Sequence, residues 1–517
     1  MKGPRSESRV VRWVAVGVGV AGLASAGCGD GSVPPPTIET ALALPPLHAE
    51  PDPEEGGRIV DSEGREVLLR GVNVNAFVEY WQGSDFPTTF PFTPEDADMM
   101  AAIGWNAVRL LLSWSRVEPE PGVYDEAYLD EVAEAVEVLA ARGIYSIIDM
   151  HQDAWSATLA ARPDEVCEEG TPAFGWDGAP AWATLDGGEP RCFSGSRELN
   201  PAVRAAFAAF WENAAGPGGV GIRTRYADMW RHVAARFASI EGVAGYDMMN
   251  EPNAFDTDAQ EQLSAMHAEV LDAIREGEAE AGAEARLVLF EPSALWSTLG
   301  MGAPPDFDRD RDVVYAPHIY TGGFTGGAIG ADAFEVAVTE ARRFGGAPVL
   351  SGEWGTGPDR ADDPEDGYFI DHQDLQDRYH VSATLWTWRE SCGDPHKAPD
   401  FESGTVWGEF EVDCATNTVT GVRDALVAQL TRAYLRVAPG PLGSLAYADD
   451  TGVFTADAPT AERNALLVAF YPASKHGSPD VRTEGLKDVT LLDAPDGNLY
   501  VAAHAEGGPW SLEANPP

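Results

Sequence analysis

Two short segments each end a hydrophobic run on a glutamate: Gly245–Asn253 (GYDMMNEPN) carries Glu251, and Val349–Gly355 (VLSGEWG) carries Glu353. Two carboxyl groups brought to one place can break a glycosidic bond with retention. One protonates the leaving oxygen as the acid, and the other attacks the anomeric carbon as the nucleophile. Asn250, beside the first glutamate, adds a hydrogen-bond donor. A single glutamate at a strand end is as often structural as chemical; the pair in this neighbourhood carries the argument.

Positions so far apart meet only if the chain returns repeatedly to one spot. From about Arg58, short β-rich runs alternate with longer helical patterns. A hairpin around Glu63-Gly64 leads into a buried strand at Gly71–Val74. Thr93-Pro94-Glu95-Asp96 is a helix start, with a capping hydroxyl, proline at the first helical position and early acids. Further apolar runs at Ala107–Leu112, Tyr145–Met150, Val243–Met249, Leu287–Phe290, Val313–Ala316, Pro348–Ser351 and Ala383–Trp388 bring the count to eight. Eight strands alternating with helices predict a (β/α)8 barrel of the α/β class, with an open doubly wound sheet as the alternative. No glycine-rich phosphate loop follows the first strand, which argues against a nucleotide site. After about Thr431 the segments become short and alternating, the pattern of a small antiparallel β-sandwich. The expected division is a barrel over 56–430 and a sandwich over 431–517 that packs against it.

In such a barrel, polar residues just after each apolar run converge on the active-site face. Arg109 lies in the second run; His151 and Asp153 follow the third with the same parity; Asn250 and Glu251 follow the fourth. His318 and Tyr320 follow the sixth, Glu353 the seventh and Trp386 the eighth, with Trp388 sharing its parity. Each of these alone has a structural explanation. Five strand ends carrying such groups together are hard to explain by stability.

The ordered set of VRL with Arg109, DMHQD, NEP, HIY, GEWG and LWTW resembles the clan of retaining glycoside hydrolases with catalytic glutamates after strands four and seven, most closely glycoside hydrolase family 5. DMHQDAWS and the trailing sandwich resemble its endoglycoceramidase-like branch, although Trp155 stands where tyrosine is usual and Glu79 where that branch tends to have lysine. The resemblance implies that Glu251 is the general acid/base with a raised pKa, and that Glu353 is the nucleophile, kept ionised by Arg109 and Tyr320. It implies a substrate-binding set of Arg109, His151, Asp153, Asn250, His318, Tyr320 and Trp386, in which Asn250, His151 and Asp153 hold the sugar, His318 orients the acid or Tyr320, and Trp386 floors the subsite. No cofactor and no metal are expected. The implied substrate is a carbohydrate or glycolipid. Polysaccharide cleavage by a family 5 endo-β-glucanase or mannanase, and a non-catalytic glycan-binding barrel, are the competing readings.

The 517 residues carry a formal net charge of −48, which repels phosphate backbones and argues against nucleic-acid partners. Lys2, Arg5, Arg9 and Arg12 precede the apolar stretch Trp13–Ala24, which is too short to span a bilayer. Small residues then lead to Cys28, resembling a bacterial lipoprotein signal with Ser25 in place of the usual aliphatic residue. Export of a monomer is expected, either secreted or held at the cell envelope through a lipidated Cys28, with residues 29–55 as a disordered tether. The remaining Cys167, Cys192, Cys392 and Cys414 permit three disulfide pairings, of which neighbour pairing is the most economical; zinc is the alternative, without supporting spacing. The long segments Ala154–Gly221 and Glu390–Asp413 rise on the active-site face, and their aromatic residues Trp155, Phe174, Trp176, Trp182 and Phe193 are expected to line the leaving-group side.

Overall fold

Eight strands run parallel in a computed structural model of the chain: β1 (Arg70–Phe77), β2 (Ala107–Ser113), β3 (Tyr145–His151), β4 (Val243–Asp247), β5 (Leu287–Phe290), β6 (Val313–Tyr315), β7 (Leu350–Ser351) and β8 (Ser382–Leu385). β8 pairs with β1, and a parallel bridge between Tyr315 and Val349 joins β6 to β7, which closes the ring. The structure describes residues 33–167, 173–192, 196–300, 312–324, 326–361, 363, 366–396 and 406–517. The N-terminal segment expected to act as a signal, with Cys28, and Phe193, lie outside the described residues.

Local chemistry sets the elements much as expected. Thr93 caps the helix Pro94–Ile103 in a box with Asp96, whose carboxylate accepts from the Thr93 N–H at 2.8 Å. That helix stops at Gly104, at φ 98°, where an added Cβ would lie 2.4 Å from the Phe470 ring. Glycine is therefore required both by its backbone and by the sandwich packed against it.

The sandwich differs in membership from the expected 431–517. Its larger sheet runs in the order Leu47–Glu50, Arg58–Asp61, Glu66–Val67, Tyr434–Ala438, Leu466–Tyr471, Leu499–Ala505, Leu486–Asp493. Three of those seven strands come from ahead of the barrel, and Val67 registers with Val437. The smaller sheet holds Ser444–Ala448, Val453–Ala458, Trp510–Asn515 and Asp480–Glu484. Leu435, Leu467 and Tyr471 from one sheet meet Leu445, Phe454 and Leu512 from the other in a shared core, while Phe470 and Tyr500 face the barrel.

The tether expected over 29–55 is likewise corrected across its described part. Thr37 caps a short helix, Ile38–Ala41, and Leu47 and Ala49 are fully buried. The proline-rich composition hid an alternating strand, Leu47–Glu50, whose inward residues complete the core. The sandwich packs beneath the barrel. Tyr434 donates to the Gly104 carbonyl at 2.8 Å, and Arg432 meets Asp377, which also pairs with Arg70 at the start of β1.

Both loop staples form between neighbours, Cys167–Cys192 and Cys392–Cys414. A helix, Pro201–Trp211, also forms within the long segment Ala154–Gly221. Phe207 and Phe210 on it pack against Trp155, which is buried. Trp155 thus serves the core of the inserted loop instead of lining an open leaving-group wall, because the unforeseen helix supplies its partners, whereas Trp176 lies under the Arg197 guanidinium at 4.0 Å and edge-on to His396 at 5.0 Å. Among the described residues, no helix is long and apolar enough to cross a membrane.

Candidate active site

Arg109 organises the floor of the site. Its side chain is 0% exposed and sits among four carboxylates: Asp149 at 2.9 Å, Asp247 at 2.9 Å, Glu291 at 3.0 Å and Glu353 at 3.0 Å. It also donates to Asn73 Oδ1 at 3.1 Å and Asn250 Oδ1 at 3.0 Å. Parallel register makes this possible, since Asn73 on β1 stands beside Arg109 on β2, and Asp149 on β3 beside Asp247 on β4. An arginine without exposure cannot bind sugar directly. The expectation that Arg109 contacts substrate is corrected: it positions the groups that do.

Glu353 follows β7 and receives Arg109 Nη1 on Oε1 and the Tyr320 hydroxyl on Oε2, the latter at 2.9 Å. Burial pushes the Tyr320 hydroxyl well above its ordinary value, and the neighbouring carboxylates add to that, so it remains a donor. Glu251, after β4, lies opposite. One oxygen of each glutamate and a ring nitrogen of His318 all lie within 4.8 Å of one another. That spacing fits a direct-attack pair and leaves no room for the water an inverting pair must hold. Glu251 is 17% exposed and Glu353 7%, so the acid faces the open side.

The Glu251 backbone is held in an unusual shape. Its φ is 38°, in the left-handed region that residues with a side chain rarely adopt. Glu291 Oε2 accepts its N–H at 2.8 Å, and Gln152 Nε2 donates to its carbonyl at 3.0 Å and to that of Asn250 at 2.7 Å. Asn250 Nδ2 in turn donates to the Gln152 carbonyl at 3.1 Å. The acid is thereby locked in place by its neighbours on β3 and β5.

His318 Nδ1 lies 3.0 Å from Glu251 Oε1, so of the two roles expected for it, orienting the acid is the one the geometry serves. The expected rise in the Glu251 pKa is not found in the free protein. Burial raises it, but the His318 hydrogen bond and charge outweigh burial and hold it below the usual carboxylate value. Burial does raise the carboxyl groups of Glu291 and Asp247, against the pull of the Arg109 and His318 charges.

His151 Nδ1 donates to Asp149 Oδ2 at 2.9 Å, and the ring lies flat against Trp386, with ring centroids 5.6 Å apart. Trp386 therefore belongs to the chamber. Trp388 points elsewhere, against Trp105 and Phe410, with its indole N–H on Asp96. Asp153 is already engaged on both oxygens, by Arg197 at 2.5 Å and by His396 Nε2 at 3.0 Å. Any sugar contact by Asp153 uses the acceptor capacity that remains. Glu390, Asp394 and His396 also bring ligand-type atoms within 4.8 Å of one another, but both His396 ring nitrogens face carboxylates, Asp394 at 2.8 Å and Asp153.

Glu291, Asn73, Gln152, Arg197 and His396 were not foreseen as site residues. Glu291 directly follows β5, and the strand-end rule that found its neighbours would have found it. Arg197 and His396 arrive on the stapled loops and carry no positional signal.

A closed parallel ring whose fourth and seventh strands deliver two facing carboxyl groups defines a barrel glycosidase. The chain belongs to glycosyl hydrolase family 5: the model of that family's cellulase domain matches residues 60–391. Endoglycoceramidase I of Rhodococcus hoagii (strain 103S) is 30% identical over 285 residues, covering 52% of this chain and 52% of that protein, so the match spans about half the length of this relative. A crystal structure of endogalactoceramidase is 34% identical with a TM-score of 0.80, covering 91% of this chain and 100% of that one. Endo-glycoceramidase II from Rhodococcus sp., as a lactosyl-enzyme intermediate, is 27% identical with a TM-score of 0.66, covering 89% of this chain and 99% of that one.

Proposed function

We propose that the protein is a retaining β-glycosidase that hydrolyses glycolipid-type β-glycosides by double displacement. The observation that carries this is the approach of Glu251, His318 and Glu353 to within 4.8 Å. Glu353, fixed by Arg109 and Tyr320, attacks the anomeric carbon while Glu251 protonates the departing oxygen. A covalent glycosyl ester forms on Glu353; Glu251 then takes a proton from water, which attacks the same carbon and releases the sugar. The lactosyl-enzyme form of the Rhodococcus sp. relative is an intermediate of this kind.

A lipid leaving group is supported by the relatives' names and by the rim of the site. Phe324, 52% exposed, lies 4.7 Å from the Tyr320 ring and 5.8 Å from Trp407. An apolar lip beside the nucleophile suits an acyl or ceramide chain better than a wet polysaccharide.

Wild type, Glu353→Ala and Glu251→Ala are compared on an aryl β-glucoside, a glycosylceramide and a soluble β-glucan. Cleavage of the ceramide by wild type alone is expected. Cleavage of the polymer only would remove the lipid reading, and activity surviving Glu353→Ala would remove that residue as nucleophile. We also infer export as a monomer, with Cys28 as the lipid attachment point. Radiolabelled fatty acid on wild type but not on Cys28→Ser tests the anchor, and sedimentation of the purified protein tests the assembly state.

A further inference from the structure

His318 is held by carboxyl groups on both edges of its ring. Nδ1 faces Glu251 Oε1 at 3.0 Å and Glu353 Oε2 at 3.4 Å, and Nε2 faces Glu291 Oε1 at 3.1 Å. The ring is 1% exposed and Glu291 2%, so bulk water does not compete for these contacts. Arg109 and Asp247 lie beneath, the first 3.0 Å from Glu291 and the second acting on His318 through its charge. One imidazole thus sits inside a shell of acids contributed by β4, β5 and β7.

Glu291 is not one of the two glutamates that the reaction requires, yet it touches both parts of the acid machinery. Oε2 fixes the Glu251 backbone through its N–H, and Oε1 faces His318 Nε2. Two donors, Arg109 Nη2 and the Glu251 amide, hydrogen-bond to its two oxygens, and His318 Nε2 lies 3.1 Å from Oε1. The charges of Arg109 and His318 favour its charged form, while burial opposes it.

We propose that Glu291 is a third working carboxyl group, a positioning residue that orients and charges His318 so that the imidazolium holds the proton Glu251 delivers. This deepens the glycosidase reading and rests on it. In the first step the Nδ1–H bond breaks as the Glu251 Oε1–H bond forms, and that bond breaks as the leaving oxygen is protonated. His318 is left as the neutral Nε2–H tautomer, with that nitrogen beside Glu291 Oε1. In the second step the attacking water gives its proton to Glu251, which returns it to Nδ1. The lowered Glu251 pKa and the strongly raised His318 pKa are what such storage requires.

The sign of the pH effect follows. A negative group at Nε2 strengthens the hold of His318 on its proton, so removing that charge makes the proton leave at lower pH. Wild type, Glu291→Gln and Glu291→Asp are assayed across pH on two aryl β-glycosides. One has a dinitrophenol leaving group that needs no acid, and the other a weakly acidic phenol that does. Glu291→Gln should lose roughly 10–100-fold in kcat/KM on the second and less than about 3-fold on the first, the size of an acid-catalysis defect. Its alkaline limb should move about one pH unit lower, a tenfold change in proton affinity, while Glu291→Asp keeps the limb in place. Equal losses on both glycosides with an unmoved limb would overturn the proposal.

If neither variant folds, as judged by thermal unfolding, histidine-labelled NMR of the wild type decides. An imidazolium at His318 is expected at pH 7, and a neutral ring at that pH sinks the idea. A wild type inert on both glycosides would instead sink the glycosidase reading, and the NMR titration, which needs no turnover, would still report on the proton store.

Discussion

Arg109 Nη1 lies 3.0 Å from Glu353 Oε1, and the same nitrogen is shared with Asn73 Oδ1 at 3.1 Å. The first strand of the barrel thereby fixes the angle at which the second strand grips a carboxylate from the seventh. The guanidinium has no solvent contact, and every polar neighbour it has is an acceptor. Its charge is therefore a structural necessity as well as a means of aiming Glu353.

Arg109→Lys should damage both stability and catalysis. A lysine ammonium cannot present the planar fork that reaches Asp247, Asn250, Glu291 and Glu353 together, and partly unpaired buried carboxylates cost about 3–5 kcal/mol. Chemical denaturation should show a loss of that order, with kcat/KM on an aryl β-glucoside falling at least about 100-fold. A variant within about 1 kcal/mol of wild type would contradict the account.

Tyr320→Phe separates the two effects. The change removes one charge-assisted hydrogen bond to Glu353 Oε2 and little volume. We expect a barrier increase of about 1.5–3 kcal/mol, or roughly 10–150-fold in kcat. The fold should be retained, since Tyr320 packs with Val78, Tyr80, Leu111 and Trp386 through its ring. Unchanged kcat would show that the hydroxyl does not support the nucleophile.

The Cys392–Cys414 staple should matter to the site as well as to the fold. It closes the loop that carries Asp394 and His396 against Asp153. Cys392→Ser with Cys414→Ser should lower stability by about 2–4 kcal/mol and raise KM for the sugar. Finding KM unmoved would detach His396 and Asp153 from substrate binding.

Glu66 predicts a pH dependence that lies far from the site. Burial pushes its carboxyl up to about 7, against the pull of the Leu442 N–H at 2.9 Å. Between pH 4.5 and 7 the folded state binds the proton more tightly than the unfolded one. Stability from this group is then complete at low pH and falls as pH rises through that window. Glu66→Gln should be about neutral at pH 4 and stabilising by roughly 2–3 kcal/mol at pH 8, read from urea midpoints at the two pH values. A variant less stable at pH 8 would reverse the sign.

The sequence exposed those parts of the protein that repeat. Eight apolar runs alternating with helices announced the barrel, and one rule about strand ends located Glu251, Glu353, His318, Tyr320 and Trp386. The rule was incompletely applied at Glu291, which follows β5 as Glu353 follows β7. Arg109 showed its type but not its depth, because strand parity places a residue inward without saying whether it lies above or below the substrate. Arg197 and His396 reach the chamber from irregular loops, where periodicity carries no information. The strand Leu47–Glu50 was hidden by its setting: its partners in the sheet lie at the other end of the chain, and no local pattern records a contact of that span.

The larger sandwich sheet takes strands from both flanks of the barrel, and this makes the two bodies inseparable in practice. Val67 sits in the sandwich, paired with Val437, and only three residues later the chain enters β1, whose Asn73 steadies Arg109. Cutting the chain ahead of Arg70 to isolate a minimal barrel would strip three strands from a seven-stranded sheet and leave its middle as a raw edge. Grafting this catalytic ring onto another protein would meet the same obstacle, because the module to be moved is not a continuous stretch of sequence.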